Sequence, residues 1–399
     1  NLSERLIKDY FAEDGIQYSI GRIPIAGTDF STRKYAYNEV DGDFNLTHFE
    51  LAEEDINLKI PTIKYALNVS KHEVKLFGSA WSSPKWMKTN NELEGAGVLK
   101  GNTTGPYYKT WADYAVKFLN HYRTNGIELW GMTTGNEPMA GFIPGYRWNC
   151  LGFTPFSQRD FVKLHLGPAL EKAGYTPENF KVMIHDDQLP SLPIYAEIVL
   201  RDANASKYIS GVALHWYQNN YAPREFLNFV HNKFPDKFIL ATEACEGAGI
   251  SPHVSFGDWS RGENYASDIL KDLNHWSTGW VDWNIALDLN GGPTWAENFV
   301  DSPIIVNSTA NEYYKNPMYY ALGHFSRFLV PSSIRLDSTT STSWWNPVLY
   351  TVFETPKQEI VLVALNPSDE PTEFTVRDPK HGIITFSFEA HSIVTLTWV

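Results

Sequence analysis

Apolar residues along this chain follow two rhythms. Short continuous apolar runs, of the kind that form strands buried on both faces, fall at 17–25, 74–80, 128–134, 181–186, 211–217, 238–243 and 279–286. Between them apolar residues recur every three or four positions. That spacing predicts helices near 53–69, 107–124, 155–173, 192–202, 223–233 and 260–276, with one more near 316–329. Strict alternation of strand and helix predicts a parallel sheet. Seven strands are one fewer than a closed (β/α)8 TIM barrel requires. Leu2, Leu6, Ile7, Tyr10 and Phe11 already keep helical spacing, so the chain is expected to open in the middle of a helix. The first strand of the barrel is expected to be absent from this chain and to come from a missing N-terminal segment of the same protein.

The rhythm changes after about residue 330. Runs such as Val348-Leu349-Tyr350-Thr351-Val352-Phe353, Glu359 to Leu365, Phe374-Thr375-Val376 and Ile393 to Leu396 are separated by turn residues, with no helix between them. Short strands of this kind predict a β-sandwich. The expected division is 1–329 for the barrel and 330–399 for a C-terminal β-sandwich domain. The stretch 288–315, with Gly291-Gly292-Pro293 and little periodicity, is expected to be a long loop over the barrel mouth.

Chemistry enters with two glutamates. Glu137 stands in Thr134-Gly135-Asn136-Glu137-Pro138 and Glu243 in Ala241-Thr242-Glu243-Ala244-Cys245, each just past a strand-like run. The gap between them holds about three strand–helix units of roughly 30 to 35 residues. Two carboxylates so spaced can face one another across a barrel mouth. Glycoside hydrolysis needs that pairing: one carboxyl protonates the leaving oxygen, and the other attacks or activates water. Other strand ends gather Arg22, Asp29, Trp81, Asn136, His215, Trp216, Tyr217, Asp282, Trp283 and Asn284. Flat aromatic faces stack sugar rings, and carboxylates or amides grip hydroxyls. His185-Asp186-Asp187 and His215 lack metal-ligand spacing and read as hydrogen-bonding groups, so no metal or cofactor is expected. Cys245, near Glu243 but without an evident His partner, reads as packing.

Composition narrows the partners. The net charge of −13 leaves no basic stripe for nucleic acid. No apolar run reaches the roughly 18 residues of a membrane span. The two cysteines, Cys150 and Cys245, are read as free, and six Asn-x-Ser/Thr sequons, at Asn1, Asn45, Asn68, Asn102, Asn204 and Asn307, point to a glycosylated, secreted or lysosomal protein.

The segments Thr134–Pro138, Cys150-Leu151-Gly152-Phe153-Thr154-Pro155, Leu214–Tyr217, Thr242–Cys245, Gly279–Asn284 and Asn298–Val306 occur in an order that resembles glycoside hydrolase family 30, in its lysosomal acid β-glucosidase branch. The resemblance implies a retaining β-glucosidase acting on glucosylceramide at membrane surfaces, with a saposin-type activator protein as partner. It implies Glu137 as acid/base, Glu243 as nucleophile, and Asp29, Trp81, Asn136, Trp283 and Asn298 as glucose-binding residues. Arg22, His215 and Tyr217 are implied to orient the carboxylates. Ser251 stands about where that branch carries a tryptophan, and the loop after Glu243 is slightly shorter, which bears on contacts with lipid and activator. The alternatives are another family 30 glycosidase, a β-xylosidase or β-1,6-glucanase, or a non-catalytic sugar- or lipid-binding fragment.

Overall fold

A computed structural model describes residues 1–341 and 348–399. Helix α1 (Leu2–Phe11) buries Leu6, Ile7, Tyr10 and Phe11 on one face. The Asn1 side chain accepts the Glu4 N–H at 2.8 Å, and Glu4 reaches back to Asn1 in a capping box, so Asn1 is the N-cap.

Strands and helices then alternate: β1 (Ile20–Ile25), α2 (Ile60–Val69), β2 (Lys75–Ala80), α3 (Pro106–Thr124), β3 (Gly131–Thr133), α4 (Pro155–Phe161), α5 (Gly167–Lys172), β4 (Lys181–Gln188), α6 (Leu192–Leu200), α7 (Ala203–Ser206), β5 (Gly211–His215), α8 (Glu225–Lys233), β6 (Phe238–Glu243), α9 (Trp259–Asn274) and β7 (Ser277–Trp280). Two helices expected to be single are composite. A π turn, Asp55–Lys59, leads into α2, and another, Val162–Leu166, joins α4 to α5.

The seven strands form one parallel sheet in sequential order, β1 to β7. Among the described residues no ladder closes β7 onto β1. Between those outer edges lies a cleft of about 710 Å³, lined by Ile20, Ile23, Leu76, Trp280, Val281 and Leu322 among others. The layers follow from side-chain alternation. Leu76, Val182, Ile184, Val212, Leu214 and Ile239 pack outward under helices α3, α6 and α8, whereas Phe77, Met183, Ala213 and Leu240 fill the barrel interior.

The last barrel strand is shorter than expected. Residues 281–286 stay beside β6, with Val281 and Trp283 donating to the carbonyls of Ala241 and Ala244, but Asn284 turns to a φ of 73° and breaks extended geometry. The stretch 288–315 is not wholly a loop. β8 (Leu287–Asp288), β9 (Ile304–Asn307) and β10 (Glu312–Lys315) form a small sheet in the order β10-β9-β8. Its strands are too short to show a period in sequence.

Helix α10 (Pro317–Ser326) leads to the C-terminal sandwich. β11 (Ile334–Arg335), β12 (Leu349–Glu354) and β13 (Ile360–Asn366) share a sheet with β16 (Ser392–Trp398), and β14 (Thr372–Asp378) pairs with β15 (Gly382–Phe388). Alternation along β13 joins the two halves of the molecule. Val361, Val363 and Leu365 pack against residues of α1, α9 and α10, while Leu362 and Ala364 pack against Phe374 and Phe388.

Candidate active site

The side chains of interest stand at the C-terminal ends of the parallel strands, where the ladders lose their regularity. Register breaks fall at His185/Asp187 between β4 and β5, at Leu214/His215 between β5 and β6, and at Ile239/Ala241 between β6 and β7. Such breaks twist a strand and re-aim its side chains. His185 and Asp186 are consecutive left-handed residues, with φ of 76° and 54°. The Glu137 backbone is left-handed as well, with φ of 41°. Gly135, two residues earlier, has φ of 146°, a region open in practice to glycine alone. Three non-glycine residues held this way at neighbouring strand ends mark a strained, over-determined region.

Asp186 is its hub. Its two carboxylate oxygens accept hydrogen bonds from Arg22 Nη2 (2.9 Å), Thr133 Oγ1 (2.7 Å), His215 Nε2 (3.0 Å) and Thr242 Oγ1 (2.7 Å). Burial would raise its pKa, but Arg22 and His215 outweigh that and hold it well below the usual carboxylate range. Arg22 is buried too. Its guanidinium also binds Glu243 Oε2 and, at 2.8 Å, Asn136 Oδ1, and it lies 4.7 Å from the Trp81 ring centre. His215 is opposed by burial but lifted by Glu243, Asp186 and Glu137, to about 10. Each ring nitrogen faces a carboxylate, Asp186 on Nε2 and Glu137 on Nδ1, an arrangement that favours the imidazolium.

Glu243 accepts from Arg22 and, at 2.9 Å, from the Tyr217 hydroxyl. Glu137 accepts from His215 Nδ1 (3.1 Å) and Gln188 Nε2 (2.7 Å) on Oε1, and from Tyr146 OH (3.4 Å) on Oε2. One carboxylate oxygen from each glutamate and a ring nitrogen of His215 lie within 4.8 Å of one another. A trio of this type can hold a metal ion. Here both ring nitrogens of His215 are engaged, Nδ1 with Glu137 and Nε2 with Asp186.

The residues expected to bind sugar gather beside this pair. Trp81 and Trp283 stack with ring centres 4.9 Å apart, and Phe30 meets Trp283 edge-on. The Asn298 amide donates to Asp29 Oδ2 at 2.8 Å, and Thr294 Oγ1 donates to the Asp29 carbonyl. Burial, with help from the Glu243 charge, pushes the Asp29 carboxyl up to about 7 despite the Asn298 bond. All ten residues named for catalysis, sugar binding and orientation therefore lie at or beside one cluster. His185 does not join it. Its Nδ1 donates to the Ala213 carbonyl, its Nε2 faces Ser191, and burial holds it at about 4, neutral. Cys245 lies against Tyr217 with its thiol pushed well up by burial, and Cys150 is buried elsewhere; both are free.

Sequence reasoning missed Tyr146, Gln188 and the hub role of Asp186. Only the adjacency of Asp186 to the end of a strand could have signalled it; Tyr146 lies in a loop without period.

Two facing carboxylates at the strand ends of a parallel α/β sheet, one held by a cation and both beside paired indole rings, define a glycoside hydrolase. The sequence agrees. Residues 1–329 match the glycosyl hydrolase family 30 TIM-barrel domain, and residues 332–396 match the family 30 beta sandwich domain, so the chain belongs to glycosyl hydrolase family 30. Putative glucosylceramidase 4 of Caenorhabditis elegans is 48% identical over 84% of this chain and 64% of its own length. Lysosomal acid glucosylceramidase of Mus musculus is 43% identical over 98% of this chain and 76% of its own length. The chain thus spans about two thirds to three quarters of these relatives. Among solved structures, SrfJ from Salmonella typhimurium is 27% identical with a TM-score of 0.89, covering 99% of this chain and 84% of that one. The endo-beta1,6-glucanase BT3312 is 26% identical with a TM-score of 0.86, covering 99% and 86%.

Proposed function

We propose that this chain is the catalytic part of a retaining β-glucosidase that cleaves glucosylceramide to glucose and ceramide. The observation that carries the reading is the approach of one carboxylate oxygen of Glu137 to one of Glu243, within 4.8 Å. Inverting enzymes keep their carboxyls roughly 6.5–9.5 Å apart to admit water, whereas retaining ones use about 5–5.5 Å for direct attack. Identity of 43% and 48% to glucosylceramidases supports the choice of substrate.

Glu243, an anion beside Arg22, attacks C1 of glucose. The C1–O bond to ceramide breaks as the Glu137 proton passes to the leaving oxygen, and a glucosyl ester remains on Glu243. Glu137, now ionised, takes a proton from water, whose oxygen attacks C1 and frees the Glu243 carboxylate. His215, Arg22 and Tyr217 hold the two carboxylates apart from one another's charge. Trp81 and Trp283 offer ring faces, and Asp29, Asn136 and Asn298 offer partners for glucose hydroxyls.

A lysosomal or secreted glycoprotein fits the six sequons; Asn45, Asn102 and Asn204 are exposed on the surface. No helix among the described residues is long and apolar enough to cross a membrane, and access to the lipid through a saposin-type activator belongs to the same proposal. So do a domain division at 329/330 and a further strand, from a segment of the same protein, in the cleft between β1 and β7.

The test compares aryl β-glucoside, aryl β-xyloside and a β-1,6-linked glucan in the full-length protein, with NMR following the anomer released. Preference for the glucoside with β-glucose as first product agrees with the proposal. An inverted product ends the double-displacement mechanism, and preference for the xyloside or glucan moves the activity elsewhere in the family.

A further inference from the structure

The Asp186-Asp187-Gln188 run at the end of β4 grips the segment that carries Glu137 at three points, with a fourth bond inside the run itself. The Glu137 N–H donates to the Asp186 carbonyl at 2.9 Å. The Met139 N–H donates to Asp187 Oδ2, and the Gln188 N–H to Asp187 Oδ1, both at 2.8 Å. Gln188 Nε2 then closes the ring on Glu137 Oε1 at 2.7 Å. The amide presents its NH2 to the Glu137 carboxylate, and its own Oε1 is buried without a partner.

Glu137 Oε1 consequently faces two N–H donors, Gln188 Nε2 at 2.7 Å and His215 Nδ1 at 3.1 Å. An O–H on that oxygen would point hydrogen at hydrogen. Oε2 faces only the Tyr146 hydroxyl, at 3.4 Å, a group that accepts as readily as it donates. The two oxygens of one carboxyl are thus unequal before any substrate arrives. We propose that Gln188 is a positioning residue that keeps Oε1 as the acceptor end of the Glu137 carboxyl and so fixes the transferable proton on Oε2, turned toward the leaving oxygen. His215 alone does not fix this plane, because a single donor leaves the carboxyl free to rotate about its Cγ–Cδ bond. Asp187 is the brace: it ties Gln188 and Met139 to the same carboxylate and so sets the distance the amide must span.

This inference rests on Glu137 being the acid/base. Its signature is dependence on the leaving group, because a misplaced proton matters only when the departing oxygen needs one. In the full-length protein, Gln188→Met keeps the side-chain length and removes the donor. Its kcat/KM on phenyl and alkyl β-glucosides should fall about 10-fold or more, with dinitrophenyl β-glucoside changed by less than about 2-fold. The ratio of the two substrates is independent of how much variant is folded, so partial misfolding does not blur it. Gln188→Leu, read by the same ratio, should behave alike. An unchanged ratio in both variants, or equal losses on all substrates, overturns the role given to Gln188. A wild-type protein that cleaves no β-glucoside instead overturns the glycosidase reading beneath it.

Discussion

The two glutamates occupy adjacent but opposite environments. Glu243, at the end of β6, is held by the buried guanidinium of Arg22 and by the Tyr217 hydroxyl. Glu137, in the loop after β3, is held by an amide, an imidazolium and a more distant hydroxyl, with the carboxyl of Asp187 nearby. Glu243 thus touches a guanidinium directly and Glu137 does not. The division of labour is written in the partners rather than in the glutamates, which are chemically the same residue.

The sharpest way to break this asymmetry is to remove the anion. Glu243→Gln should lower kcat by about four orders of magnitude with the thermal midpoint kept, because an amide forms no glucosyl ester. A residual rate above a hundredth of wild type would reassign the nucleophile. Next comes its counter-ion. Arg22→Leu takes the guanidinium from Glu243 and leaves Asp186 with His215 alone, and breaking a buried pair from one side costs about 3–5 kcal/mol. Both kcat and chemical-denaturation stability should fall together; loss of either alone would separate the structural role of Arg22 from its electrostatic one.

On the other side of the pair, Glu137→Gln should cost about 10²–10⁴-fold on glucosides with poor leaving groups and far less on dinitrophenyl glucoside. Equal losses across that series would erase the distinction between the two glutamates.

The smallest expected effect is on stability against pH. Asp29 and Asp187 are both pushed up to about 7, chiefly by burial and then by neighbouring carboxylates. Values raised above the ordinary carboxylate value of about 4 carry a stabilisation that is complete below that value and lost as pH climbs toward 7. His215, at about 10, loses its contribution between its ordinary value of about 6.5 and 10. Asp186, held low, loses its contribution only as pH falls below about 4. The thermal midpoint should therefore peak at mildly acid pH and decline by several degrees toward pH 8. A midpoint that rises from pH 5 to 8 would mean that these carboxyls are not dry.

The alternating architecture and nine of the residues at the cluster were legible in the sequence because period and strand-end position are local signals; Asn298, and the role of each residue, came only from the resemblance to family 30. Gln188 and Tyr146 were not legible. Their importance comes from where a register break and a loop aim them, and a bulge leaves no mark in hydrophobic pattern. The same limit explains residues 281–286: an apolar run marked a strand, but the ladder stops at Trp280 and Asn284 is left-handed. The small sheet of β8, β9 and β10 escaped for the complementary reason, since two to four residues cannot establish a rhythm.

The outer edges of β1 and β7 carry a consequence for anyone who purifies this chain. Each presents a row of backbone donors and acceptors beside an apolar cleft, the kind of template on which a second chain adds by edge-to-edge pairing. Detergent-free preparations of these 399 residues alone should tend toward concentration-dependent assembly, and turbidity, rather than activity, will be the first property to register whether the cleft is filled.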